Sequence, residues 1–432
     1  MSIRKGKNYR YGIHVPDMKE LCKNSPIKNL PLPQKVYISM TQHIGAPAIP
    51  VVAVNDEVKK GQLIGEASGA ISANVHASVS GKVIAIEDIV NAQGQKSKYV
   101  VIERNDGEEI LFPDLKSFDA PALIERIRDA GIVGLGGAGF PTAVKLSPKQ
   151  KLDTLIINGA ECEPYLNCDY RLMVERTEEV YKGIIYVAKA LGIKKIIIGI
   201  ELNKPEAIEA FGTFSDIDVV ALKKQYPMGS EKHLIYCTTG RKVPIGKMPF
   251  DVGVCVQNIK TVVACYEAIE LNKPLTEIVM TVSGHGIARP CNIKVPIGTP
   301  YEDIMEYTGR SGNARKVIAG GPMMGKALIG LNQFVKKTDS GILLLTDDEI
   351  SNAQPTNCIN CGLCAKNCPM RLMPMYIESY AIAGDFNSAE KYGAMSCIEC
   401  GSCAYNCPAK RPLVQSICYS KSKIKEMKQN GR

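Results

Sequence analysis

One cysteine run occurs twice in the last quarter of the chain: Cys358, Cys361, Cys364 and Cys368-Pro369, then Cys397, Cys400, Cys403 and Cys407-Pro408, each spaced CxxCxxCxxxCP. Structural zinc takes four ligands in CxxC pairs, and disulfide frameworks belong to small secreted chains. Neither accounts for two identical four-cysteine runs that both end in proline. Iron–sulfur clusters do, because thiolates are their ligands and a run of this spacing holds a 4Fe-4S cube. A chain built this way handles single electrons, and the rest of the sequence must show where they are taken up and given away.

The run is similar to that of the two-cluster bacterial ferredoxins, in which three close thiolates cover one face of a cube and the fourth ligates the neighbouring cluster. The resemblance implies one cluster on Cys358, Cys361, Cys364 and Cys407, and a second on Cys397, Cys400, Cys403 and Cys368. The chain has sixteen cysteines, and its opening, MSIRKGKNYRYG, leads to no apolar segment; together these point to a reducing compartment. The other cysteines, among them Cys162, Cys168, Cys237, Cys255, Cys265, Cys291 and Cys418, show no ligand spacing. No membrane span is expected, because the apolar stretch 184–200 is broken by Lys194 and Lys195 and the stretch 341–345 is too short. The net charge of +9 comes without a basic stripe interleaved with aromatics, which argues against nucleic acid as a partner. Lys421, Lys423, Lys425, Lys428 and Arg432 form a basic tail, read as a solvated, frayed end, the alternative being an anionic membrane surface or acidic partner.

The expected architecture is multidomain α/β plus β, with boundaries near 118, 275 and 346 in the 432 residues. Within 1–118, short strands at 51–54, 62–66, 81–86 and 99–102 alternate with Gly and Asn/Asp turns. The segment VKKGQLIGEASGAISANVHASVSGKVIAIE resembles the lipoyl-type barrel-sandwich hybrid, but Gly69, Ala70 and Ile71 stand where a carrier lysine is expected, so a structural or docking module is predicted. Within 119–275, helices at 121–130 and 172–191 alternate with apolar strands at 155–157, 195–200 and 218–222. That alternation predicts a buried parallel sheet. Segment 276–346 reads as a small β-grasp-like module of the soluble-ligand-binding type, with a helix near 301–307, and 347–432 as the two-cluster ferredoxin domain.

A glycine-rich stretch, Gly134-Leu135-Gly136-Gly137-Ala138-Gly139-Phe140-Pro141-Thr142, is followed by Lys145. Glycines let a backbone approach a cofactor, free amides attract phosphate, and a lysine adds counter-charge; a tight turn needs glycines as well. The sequence here resembles the NADH- and flavin-binding subunit of respiratory complex I, whose loop reads GRGGAGFPTGxK against GLGGAGFPTAVK at 134–145. Three more segments match in order: NGAECEP at 158–164 against NGDESEP, Tyr226, Gly229 and Glu231 against YxxGEE, and Asn258 and Thr261 against NNVET. The resemblance implies that Gly134, Gly136, Gly137 and Gly139 pass beside FMN, that Lys145 and Asn258 contact its phosphate or ribityl chain, and that Asn158 and Glu161 approach the ring. It sets Glu163 and Glu231 near the nicotinamide nucleotide and Phe140 against the adenine. Ala160, Ser230, Leu135 and Lys260 depart from the complex I pattern and make the nucleotide site less acidic.

The whole domain order resembles the C subunits of the Rnf membrane complexes. That resemblance implies a peripheral subunit on the cytoplasmic side of the cell membrane, with integral-membrane and iron–sulfur subunits as partners and ferredoxin as an indirect one. It implies two 4Fe-4S clusters, FMN, and NAD(H) as substrate, with hydride transfer carried by the cofactors and no catalytic acid or base from the chain. Two alternatives stay open on sequence: an NADH-dependent cobalamin reductase of diol degradation, and a non-catalytic iron–sulfur relay subunit.

Overall fold

The computed structural model describes residues 3–92 and 94–431, so Arg432 of the basic tail lies outside the described residues. Its centre is a five-stranded sheet in the order Ile3–Lys5, Ile217–Leu222, Lys195–Glu201, Thr154–Gly159, Val254–Asn258, parallel throughout. Runs such as TLIING and KIIIGIE are apolar at successive positions because both faces of a parallel sheet are covered. Register pairs Asn158 with both Gly199 and Asn258. The C-terminal strand ends therefore gather Asn158, Glu201 and Asn258 at one edge, where parallel sheets hold their ligands.

The helix expected over 172–191 is two, Cys168–Glu175 and Thr177–Leu191, interrupted at Arg176. Thr177 starts the second helix, with Glu178 and Glu179 in its first turn, and Gly192 ends it in the left-handed conformation. This helix packs tightly on the helix Ile259–Glu270: a Cβ on Gly183 would lie 2.0 Å from the Val262 carbonyl oxygen. That oxygen is backbone and cannot swing away. Gly183→Ala is expected to cost at least about 1–3 kcal/mol of stability, read as a lower denaturant midpoint, with the cysteine domain's spectrum unchanged.

The barrel-sandwich module has one sheet ordered Lys35–Ser39, Lys96–Arg104, Gly81–Val90, Glu57–Val58 and another ordered Ile49–Pro50, Leu63–Glu66, Val75–His76. Residues 51–54 are not a strand as expected; the short strand falls two positions earlier, where Ile49 pairs with Glu66. Two short strands within the expected unit 1–118 pair outside this module's two sheets. Ile3–Lys5 pairs with Ile217–Leu222 in the central sheet, and Ile27–Asn29 pairs with Cys291–Pro296. The third module is a six-stranded mixed sheet that includes Ile27–Asn29, with the helix Tyr301–Thr308. A buried lysine, Lys337, joins three modules by donating to the carbonyls of Asn74 at 2.6 Å and Gly131 at 2.7 Å.

The basic tail is not a frayed end as far as residue 429. The helix Leu413–Gln429 docks on the cysteine domain through Leu413, Ile417 and Ile424. Lys421 donates to the Cys397 carbonyl at 2.9 Å and pairs with Glu399, and Lys428 pairs with Glu390.

Candidate functional site

The glycine loop is a hairpin-like turn, closed by the Gly134 N–H donating to the Phe140 carbonyl at 2.9 Å and by pairing of Val133 with Pro141. Leu135 N–H donates to Thr261 Oγ1 at 3.0 Å, which ties the loop to the first turn of the helix after Asn258. Gly139 takes φ +73°, and a Cβ there would meet Thr338 at 2.9 Å and His43 at 3.1 Å, so only glycine fits between the barrel-sandwich and third modules. Among the described residues, the amides of Gly136, Gly137, Ala138 and Gly139 have no protein acceptor. Gly136, Gly137 and Ala138 are exposed and Phe140 is half-buried. A row of free amides on an open turn fits a phosphate-bearing cofactor.

Asn258 faces this loop: a Cβ on Gly136 would lie 2.5 Å from its Nδ2. Asn258 ends its strand and caps the helix Ile259–Glu270, its Oδ1 accepting from Lys260 N–H at 2.8 Å while its Nδ2 donates to Asp169 Oδ2 at 2.7 Å. Glu161, in the left-handed conformation at φ +43°, accepts from the Asp169 and Tyr170 amides at 2.7 and 3.2 Å. Burial pushes its carboxyl above the usual range. Asn158 donates from Nδ2 to the Gly229 carbonyl at 2.8 Å and accepts from the Ala160 N–H at 3.3 Å, which joins the 158–163 turn to the 226–231 segment. Lys145 pairs with Glu231 at 3.2 Å.

The structure thus brings Gly136, Leu135, Thr261, Asn258, Asn158 and Gly229 into one contact network, and places Lys145 with Glu231 in another pair. Glu163 sits elsewhere in the turn. It accepts from the Tyr226 hydroxyl at 3.3 Å and from the Met323 and Met324 amides at 3.2 and 3.0 Å, and burial raises its carboxyl to about 7. Asp169 was missed in the sequence although it stands in the stretch LNCDY; nothing in its spacing marks it, since its role is to bond Asn258 across the fold. Cys162, whose Sγ accepts from the Gly229 N–H at 3.3 Å, is held by the same turn.

The cysteines form two groups around separate cavities. One is lined by Cys358, Cys361, Cys364 and Cys407, with Met375 and Pro408; the other by Cys368, Cys397, Cys400 and Cys403, with Pro369 and Ile398. Each cavity takes three cysteines from one run and the last from the other. Four thiols around one small apolar hollow, with no histidine or carboxylate among them, suit an iron–sulfur cube. The two groups differ in depth. Cys358 and Cys361 are exposed beside Ile359, whereas Cys368, Cys400 and Cys403 are buried. The buried group abuts the 158–163 turn and the 226–231 segment: Cys400 shares a buried cluster with Tyr226, against which Cys162 and Met323 pack, and the Pro369 carbonyl lies 3.1 Å from His233 Nε2 and accepts from the Tyr9 hydroxyl.

Residues 127–267 match the family model described as the Nuo51 FMN-binding domain, 7–108 the RnfC barrel sandwich hybrid domain, 279–327 an SLBB domain, and 357–411 a 4Fe-4S dicluster domain. Among curated relatives, the C subunit of the proton-translocating ferredoxin:NAD(+) oxidoreductase complex of Clostridium ljungdahlii is 45% identical over 428 residues, covering 96% of this chain and 94% of its own. The C subunit of the Na(+)-translocating ferredoxin:NAD(+) oxidoreductase complex of Acetobacterium woodii is 43% identical over 444 residues and is matched along 100% of both chains. The C subunit of the ion-translocating oxidoreductase complex of Rhodobacter capsulatus is 45% identical over 432 residues, covering 96% of this chain and 83% of its own. Of the solved structures, an NAD+-reducing NiFe hydrogenase in the H2-reduced state aligns with a TM-score of 0.52 at 18% identity, over 74% of this chain and 70% of that one, a likeness of fold. With full-length identity at this level and matching models in all four modules, the chain belongs to the family of C subunits of the ion-translocating Rnf oxidoreductase complexes.

Proposed function

We propose that this chain is the nucleotide-handling subunit of an ion-translocating ferredoxin:NAD oxidoreductase, exchanging electrons between NAD(H), FMN and two 4Fe-4S clusters. The observation that carries the reading is the buried cluster that Cys400 shares with Tyr226, with Cys162 packed against it, which sets a four-cysteine cavity against the turn that the family resemblance assigns to the flavin. A flavin accepts a hydride and releases electrons singly to clusters, which is the chemistry such a pairing supplies. The chain's own part is positional. Gly136, Gly137, Ala138 and Gly139 offer amides to the phosphate, Lys145 offers a cation, and Asn258 and Asn158 hold the loop and the turn at the sheet edge. Cys358, Cys361, Cys364 and Cys407 would hold the outer cluster; Cys368, Cys397, Cys400 and Cys403 would hold the inner one. The exposed Cys358 and Cys361 suit exchange with another iron–sulfur subunit.

No described helix is long and apolar enough to cross a membrane. In this reading the chain acts peripherally, on the cytoplasmic face, bound to integral-membrane subunits that move the ion. The test is anaerobic NADH titration of the cluster-reconstituted, FMN-supplemented chain. Flavin bleaching followed by reduced-cluster paramagnetic signals supports the reading; clusters reducible by dithionite but not by NADH overturn it.

A pH effect follows from Glu163. Its carboxyl is neutral below about pH 7 and ionised above it, because burial outweighs the three hydrogen bonds it accepts. NADH is an anion, so raising the pH from 6 to 8 should raise KM for NADH several-fold, and Glu163→Gln should flatten that rise. An equal rise in the variant would remove Glu163 from the nucleotide site.

A further inference from the structure

The turn that carries Asn158 and Glu161 rests on two buried lysine side chains that lie outside the four short segments matched to the complex I pattern. Lys204 follows the strand Lys195–Glu201 and precedes the helix that begins at Pro205. Its side chain is 1% exposed, and its Nζ donates to the Ala160 carbonyl at 2.6 Å, Asn203 Oδ1 at 3.1 Å and Glu201 Oε2 at 3.4 Å. Three acceptors match the three donors of an ammonium group, whereas a neutral amine has only two hydrogens. Lys19, also buried, grips the other end of the turn by donating to the carbonyls of Glu163, at 3.0 Å, and Leu166.

A neutral side chain holding the Ala160 carbonyl would avoid the large cost of burying a charge. The charge therefore calls for a use. The Ala160 carbonyl shares its peptide unit with the Glu161 N–H, which has no protein acceptor among the described residues. An ammonium on the oxygen polarises that peptide and makes its N–H a stronger donor. The complex I pattern has an acid at position 160 beside the one at 161; with alanine at 160, Glu161 is left as the acid of the turn that acts on the lysine. Glu201, 2% exposed, is a further counter-charge, and it lines a cavity of about 180 Å³ with Cys162, Lys19 and Tyr226.

We propose that Lys204 is a positioning residue for the flavin, fixing the 158–163 turn through the Ala160 carbonyl and placing behind it a positive charge that favours the extra negative charge of the reduced ring. The inference rests on the flavin reading above. It makes Glu201 and Lys204 act in opposite directions: the lysine favours reduction, and its acid partner moderates it.

The test is a potentiometric titration of the FMN-loaded, full-length chain, followed by flavin absorbance, for the unmodified protein and for K204M, K204R and E201Q. K204M is expected to lower the reduction equilibrium about tenfold, a midpoint about 30 mV more negative for a two-electron couple. E201Q is expected to shift it the other way, and K204R to stay near the unmodified value. A merely structural lysine changes flavin content or melting temperature but leaves the midpoint of the bound flavin in place. Unchanged midpoints in K204M and E201Q overturn the proposal. Should K204M fail to hold flavin, E201Q decides alone, since it keeps the ammonium and its backbone acceptor. If the unmodified chain binds no FMN, the flavin reading itself has failed and this inference with it.

Discussion

Cys400→Ser is expected to remove one cluster of two and to cut NADH-driven reduction of an external electron acceptor by at least two orders of magnitude, about 2.7 kcal/mol in the effective barrier. Serine oxygen is a poor substitute for thiolate on iron, and Cys400 is buried with Cys368, Cys397 and Cys403 lining the same cavity. Iron per chain should fall from about eight toward four, with FMN content and NADH bleaching of the flavin retained. Cys358→Ser makes the contrast. Cys358 is exposed in the other group, so its variant should also lose one cluster but keep NADH reduction of the inner one. Iron analysis, with paramagnetic resonance after NADH and after dithionite, separates the two variants. An identical NADH-reduced spectrum in both would mean that depth in the fold does not set which cluster communicates with the flavin.

Gly136→Ala is expected to abolish stable FMN binding, with an affinity loss of at least about tenfold, about 1.4 kcal/mol. The added methyl would lie 2.5 Å from Asn258 Nδ2, 2.6 Å from its Cγ and 3.0 Å from its Cβ, so rotating the amide alone does not relieve the contact. Asn258 cannot retreat cheaply, since it caps the helix Ile259–Glu270 and bonds Asp169. Losing that cap is worth about 1 kcal/mol of stability in addition. Gly137→Ala is the control: nothing lies within 4 Å of its Cβ position, so it should bind FMN more nearly normally. Flavin fluorescence on titration with the apoprotein checks both. Equal loss in the two variants would trace the effect to general stiffening of the loop and not to the Asn258 contact.

What could be read from sequence is what is written locally. The two cysteine runs declare their chemistry because ligand spacing is set by the cluster, and the last cysteine of each run lines the other run's cavity. The strands at 154–159 and 195–201 were legible to within a residue or two because burial on both faces leaves a continuous apolar run. Lys204 and Lys19 were not legible. A lysine in a turn is almost always solvated, and only the three-dimensional path of the 158–166 segment turns these two inward. The strands Ile3–Lys5 and Ile27–Asn29 were missed for a related reason: three residues carry no periodicity, and their partners lie far along the sequence. The basic tail misled because its lysines were counted as charge, while Leu413, Ile417 and Ile424 on the other face of the same helix carry the docking.

The edge strand at residues 3–5 has a consequence for how the protein is made. Ile3 pairs with Val219, so the partner emerges about 10–40 s after it at typical translation speeds of roughly 5–20 residues per second. Through that interval the leading segment has no place in the central sheet, and the barrel-sandwich module, whose strands run from Lys35 to Arg104, can complete itself around its own core first. Folding order is thus written into strand order. A bulky fusion placed directly before these residues burdens an edge strand that must wait for its partner, and expression designs that leave a flexible spacer there should give a higher soluble yield than those that do not.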